Sequence, residues 1–291
     1  MKTPQKLYGL ALLGGIAVAL IAAGCKKKET ANFDPTPFQE TAEDQARSES
    51  EQNFINDAVD NQGETSVSRR VGGVDSTYLP SCATLTYDST LRRLTIDFGP
   101  TNCLCRDGVY RRGKILVTFS GPRWLQPGGL QPGARAFITT DSFFVNDNQH
   151  IVEKVLFHQG FNSAGERIIQ DTVQTHRVIT PNGTSQWRAV RTFRQTQGQN
   201  TWQRWDDVWF IGGSAQGTSR RGSPFTTQIL DSLKIIIKGD CYFRVPVKGI
   251  VQISTQNRTV RINYDPYNNE ACDRVASVQV DNGNPVNVTL R

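Results

Sequence analysis

Hydrophobic and polar positions change their spacing twice along this 291-residue chain, near residues 24 and 75. From Leu7 to Ala23 there is no charge, behind a head that carries Lys2 and Lys6. That run falls just short of a membrane span, and Gly14 and Gly15 weaken it as a helix. Residues 1–24 are therefore expected to be a secretory signal peptide. In residues 25–75 large apolar side chains become scarce, so this stretch cannot build a core alone. Within it Phe38, Ala42, Ala46, Ser50, Phe54 and Ala58 recur every four residues, joined by Ile55 and Val59. Thr36 stands as a cap, Pro37 at the first helical position, Gln39 where a capping box wants it, and Gly63 ends the pattern. The spacing predicts a helix over about 37–60. Its stripe is apolar only at the end nearer the next domain, so docking is expected there.

From residue 76 the pattern turns to short alternating runs rich in Val, Ile, Thr, Phe and Trp, such as "RLTIDFG", "GKILVTFS", "IVEKVLFHQG" and "TVRINYD". Asn182-Gly183 and Asn282-Gly283 mark hairpin turns. No long helical pattern interrupts the runs, so parallel βαβ units are not expected. The fold class is mainly β, an antiparallel β-sandwich or meander with one N-terminal tether helix. "RRLTIDFGPTNC" and "NRTVRINYDPYNNEAC" echo each other: an alternating strand, an aromatic, a proline turn with asparagine, then a cysteine. The echo suggests two related β units within 76–291, at the two ends of that segment. "LQPGGLQPGA", residues 125–134, reads as a surface loop.

Charge is unevenly placed. The chain carries a formal +6, yet ten acids and one arginine lie between Glu29 and Glu64. Residues 65–291 hold 27 basic and 17 acidic residues, and 22 of the basic ones are arginine. Arg-Arg pairs at 69–70, 92–93, 111–112 and 220–221 belong in loops or at strand ends, since neighbours on a strand face opposite ways. An arginine-rich surface suits anionic partners such as envelope glycans, with a solvated surface partly neutralised by the acidic tether as the alternative.

"AAGC" at residues 22–25 resembles the bacterial lipobox. The resemblance implies cleavage before Cys25 and acylation of that residue, which would tie the chain to the lipid bilayer. Lys26 in place of aspartate favours the outer membrane by resemblance to known sorting rules. Five cysteines then remain, and in an oxidising envelope five argue for two bridges. The echo suggests Cys82 with Cys103 and Cys241 with Cys272, leaving Cys105. The lipobox, the acidic tether helix and the segment carried by Thr95 to Gly99, Cys103, Asp107, Gly108, Arg112 and Gly113 to Ile115 resemble a family of uncharacterised Bacteroidetes lipoproteins. That resemblance implies an envelope location and no activity.

Candidate chemistry is sparse. "NTWQRWDDVWFIGG" sets Trp202, Trp205 and Trp209 around Asp206 and Asp207. Indole faces beside carboxylates suit a sugar, so Trp202, Trp205, Asp207 and Trp209 form a candidate ligand site, with core packing as the alternative. His150, His158 and His176 sit on separate strands without metal-ligand spacing and read as sheet-surface residues. His158 shares a face with Val152, Lys154 and Leu156 by strand parity. "YDPYNNEACD" offers oxygen ligands but lacks the spacing of a calcium loop. No nucleophile elbow, zincin motif or phosphate loop occurs, and no metal or cofactor is expected. The expected function is a lipid-anchored, non-catalytic binding module for glycan or an anionic envelope polymer, without nucleic acid as a partner. The alternatives are a scaffold for another envelope protein and, trailing both, a glycan hydrolase with scattered carboxylates.

Overall fold

The computed structural model describes residues 36–62, 79–123, 132–201, 206–237, 246–273 and 275–289. Among these residues there is one helix, α1 (Thr36–Gln62), and fourteen strands. The strands are β1 (Thr84–Asp88), β2 (Arg93–Asp97), β3 (Cys103–Leu104), β4 (Tyr110–Ser120), β5 (Arg135–Val145), β6 (Asn148–Phe161) and β7 (Arg167–Thr180). They continue with β8 (Gly183–Gln197), β9 (Val208–Thr218), β10 (Pro224–Ile236), β11 (Lys248–Thr255), β12 (Thr259–Asn263), β13 (Val275–Val280) and β14 (Val286–Thr289).

All fourteen belong to one antiparallel sheet, a meander that runs without crossover from β1 to β14, with β3 pairing aside on β4. The meander is therefore found and the two-sheet sandwich is not. Alternation of buried and exposed residues is the same for both, because it reports only that one face is covered. Here the cover is α1. Pairing shifts register at every interface from β4/β5 through β10/β11. Each irregularity adds twist and bend, which is how a long sheet curves. One hydrophobic cluster accordingly joins Leu94 and Ile96 of β2 to Ile138 of β5, Ile253 of β11 and Ile55 of α1. The inner face thus forms a trough around the helix, and the sheet's two ends stay unpaired.

Turn chemistry fixes the hairpins. Thr180 pairs with Gly183, so Pro181 and Asn182 make a two-residue loop. Gly183 has φ 127°, and a Cβ there would lie 2.2 Å from the carbonyl oxygen of Arg220. The second Asn-Gly pair falls in the β13–β14 turn. The echoed segments supply β2 and β12, which stand near opposite ends of the one sheet.

Cys82 and Cys103 form a disulfide 21 residues apart in sequence, and Cys105 is a buried free thiol. Cys272 is also disulfide-bonded, while Cys241 lies outside the described residues. Closing a loop of this length restricts the unfolded chain. Replacing Cys82 and Cys103 together by serine should lower the unfolding free energy by about 3 kcal/mol, measured by urea titration without reductant. A loss below ~1 kcal/mol would show that the loop is already held in the unfolded state.

Candidate functional site

Helix α1 lies in the trough along its length; its apolar end docks as expected through Ile55, Ala58 and Val59, but the face it buries before that is not the expected stripe. Ala46 and Ser50 are exposed, whereas Thr41, Asp44, Gln45, Ser48, Glu51 and Gln52 are buried together with Ile55 and Val59. The buried positions recur at three and four residues, as a helix face must, but most of them are polar. Polar burial of this kind needs partners. The sheet supplies them, strand by strand.

At the N-terminal end of α1, Arg221 pairs with Glu40 at 2.8 Å, and Arg220 in the β9–β10 turn meets both Glu43 and Asp44. Asp44 also accepts the Arg220 backbone N–H at 2.7 Å. From β8, the Trp187 indole N–H donates to Gln45 Oε1 at 2.6 Å and Arg191 pairs with Glu49. At the other end Arg167 of β7 donates to Asp60 at 3.0 Å. With Arg111 and Glu51, five arginines are engaged by six helix acids, and all of them but the exposed Arg221 are turned from solvent toward α1.

Arg111 is the centre of the array. Its guanidinium donates to Glu51 Oε1 at 3.0 Å and Oε2 at 2.8 Å, and a further pair of bonds reaches Asp107. It stacks 3.4 Å from the Phe54 ring centroid. Burial works against the Arg111 charge, but the two carboxylates outweigh it and raise its pKa. Burial likewise pushes the Glu51 carboxyl up, opposed by Arg111. Its neighbour Arg112 faces outward, onto Phe144 and Asp147, as strand alternation requires.

The three histidines are interior residues, correcting the surface placement. Each is at most 1% exposed. His150 and His158 share β6 instead of standing on separate strands, and β6 turns His150, Val152, Lys154, Leu156 and His158 to the trough, as parity predicted for the last four. His150 Nδ1 lies 3.0 Å from His176 Nε2, and His176 Nδ1 lies 3.0 Å from Gln52 Nε2. Burial lowers the His150 pKa far below the usual imidazole value and takes His176 down to about 3, so both rings are neutral at pH 7. Beside them Lys154 donates to Asp171 at 2.7 Å and to Asn56 at 2.6 Å, and Asn56 donates to Asp171 at 2.9 Å. Burial draws the Lys154 pKa down against the pull of Asp171.

Of the expected ligand site, Trp202 and Trp205 lie outside the described residues. Trp209 and Asp207 are buried. Trp209 packs edge-on to Phe193 beneath the Arg167 guanidinium, and Asp207 accepts from Gln195 Nε2 at 2.7 Å. Trp209 also walls a cavity of about 50 Å³ between α1 and the sheet, with Asn56, Asp60, Leu156, Ile169 and Phe193. That is about a third of the ~150 Å³ that holds a benzene, too little for a sugar ring. In the "YDPYNNEACD" turn, Asp265 accepts backbone N–H groups of Asn269 and Glu270, and Glu270 pairs with Lys234 and Lys248. Among the described residues no group of three or more His, Cys, Asp or Glu is placed to hold a metal ion. No protein-family model, curated protein or solved structure matches the chain.

Proposed function

We propose that this chain is a lipid-anchored, non-catalytic scaffold of the cell envelope, which positions another envelope protein near the outer membrane, and that Cys25 carries the lipid. The observation behind this reading is the clamping of α1 along its whole length by paired side chains of four strands and one turn. Such a helix is part of the body rather than a loose tether. Ten residues lie between Cys25 and Thr36, a reach of at most roughly 40 Å fully extended. Acylation would therefore hold the body close to the lipid surface. Burial of Trp209 and Asp207 removes two members of the glycan site and favours the scaffold over the glycan module.

Two measurements test it. Cys25→Ala should abolish fatty-acid labelling, and unchanged labelling would end the anchored reading. A soluble protein that begins upstream of Thr36, so that α1 is retained, should bind no glycan on an array at low salt. Glycan binding that weakens with salt and is lost in a folded Trp202→Ala, Trp205→Ala variant would restore the binding-module reading.

A further inference from the structure

His150 and His176 stand on the adjacent strands β6 and β7, where His150 pairs in register with Val178 and Val152 with His176. Their rings therefore sit diagonally across one ladder, facing the trough, and Gln52 of α1 closes over them. A neutral pair needs one proton in the His150–His176 contact. One extra proton still leaves an acceptor in it. Two extra protons set N–H against N–H at 3.0 Å, which no rotation of Gln52 relieves. Elsewhere around the pair, Phe143 of β5 and Trp187 of β8 contribute aromatic edges. The charged groups that act on it are Arg47 of α1, Arg111 of β4 and Lys154 of β6. Their counter-ions, Glu51 and Asp171, are already engaged with Arg111 and Lys154. His150 Nε2 has no hydrogen-bond partner that could share an added charge.

Protonated rings must reach water, and two routes exist. Parting β6 from β7 breaks a ladder that runs from Gln149 to Arg167. Lifting α1 breaks side-chain pairs that are polar along most of the helix, and the groups released are readily hydrated. The second route leaves the sheet's own hydrogen bonds intact. We propose that α1 is an acid-releasable strap: protonation of the His150–His176 pair lifts the helix out of the trough while the sheet remains folded. The released state exposes the inner-face cations Arg111, Arg167 and Arg191, so acidification converts a closed body into an open cationic trough.

Hydrogen exchange on the full chain, corrected for intrinsic rates, tests this at pH 7.5, 6.5 and 5.0. Opening that takes up two protons should cut protection by up to a hundredfold per pH unit below pH 6.5, about a thousandfold at pH 5.0. The loss should appear in peptides from residues 36–62, with peptides from β7 and β8 still protected. Helix amides that remain as well protected as those of β7 and β8 at pH 5.0, or a helix indifferent to pH, would overturn the proposal. A His150→Gln, His176→Gln variant should lose this hundredfold-per-unit dependence. Should that variant not fold, ring-proton NMR of the unaltered chain decides. The two histidine signals must shift with the same midpoint at which α1 amides vanish, and separate midpoints would refute the strap.

Discussion

Replacing Arg111 by alanine should lower the unfolding free energy by about 3–5 kcal/mol, the usual loss when one partner of a buried ion pair is removed. The side chains of Arg111 and Glu51 are 1% and 4% exposed, so the variant leaves a carboxylate buried without its counter-charge. It also removes the guanidinium from the Phe54 face. Arg112→Ala is the control next door, since Asp147, its partner, is exposed. That change should cost about 1 kcal/mol or less. Urea unfolding of both variants at pH 7.5 gives the comparison. Equal losses would mean that Glu51 finds water or another donor once Arg111 is gone. The double change Arg111→Met with Glu51→Leu should recover most of the stability, because it removes both desolvation costs and fills the space with apolar volume.

The strands were legible because a half-buried strand alternates with period two, and two of the turns were legible because Asn-Gly breaks a strand, although positive φ falls on Gly183 in the first and on Asp281 in the second. Residues 93–97, 110–120 and 148–161 show this directly. What alternation could not report is the identity of the cover. A helix and a second sheet impose the same inward pattern on β6 or β8. The helix itself was legible from Thr36, Pro37 and Gly63, but its buried face was not. The four-residue series through Ala42, Ala46 and Ser50 is the less polar one and so carries the amphipathic signal. The face that docks runs through Thr41, Asp44, Gln45, Ser48, Glu51 and Gln52, with the correct helical spacing and polar chemistry. Amphipathicity rules look for apolar stripes and pass over such a face.

The meeting of five arginines with α1 escaped composition for a related reason. Composition registers a basic excess in one region and an acidic one in another without saying that they meet. The sequence nevertheless held one pointer: Lys154 lies between Val152 and Leu156 on the inward parity of β6, beside His158. A charge on an otherwise apolar face calls for a buried counter-ion. Asp171 is that counter-ion, reached across one strand pair. The pairing with α1 links residues as far apart in sequence as Glu40 and Arg221, and no local pattern carries information over such a span.

Global stability should fall with acidification from about pH 6.5, well before ordinary carboxylates titrate. The folded chain holds His176 near a pKa of about 3, against the ordinary 6.5 that its unfolded form regains. Between those values the unfolded state binds a proton that the native state refuses, so stability present above pH 6.5 is lost as pH falls. One such group contributes a slope of about 1.4 kcal/mol per pH unit, and the whole window for His176 amounts to roughly 5 kcal/mol. His150 is shifted in the same direction and steepens the slope. Glu51 and Asp44 act oppositely, because their raised pKa values let the native state take up protons first. The slope of the unaltered chain is therefore a net one, and comparison with a His176 variant isolates the histidine part. Urea titrations at pH 8.0, 6.5 and 5.5 should give a loss of less than about 1 kcal/mol between the first two and of roughly 1–3 kcal/mol by the third. His176→Gln should remove half or more of that drop while keeping a hydrogen-bonding side chain against Gln52. A flat profile down to pH 5.5 in the unaltered chain would mean that His150 and His176 are reached by water in the folded state.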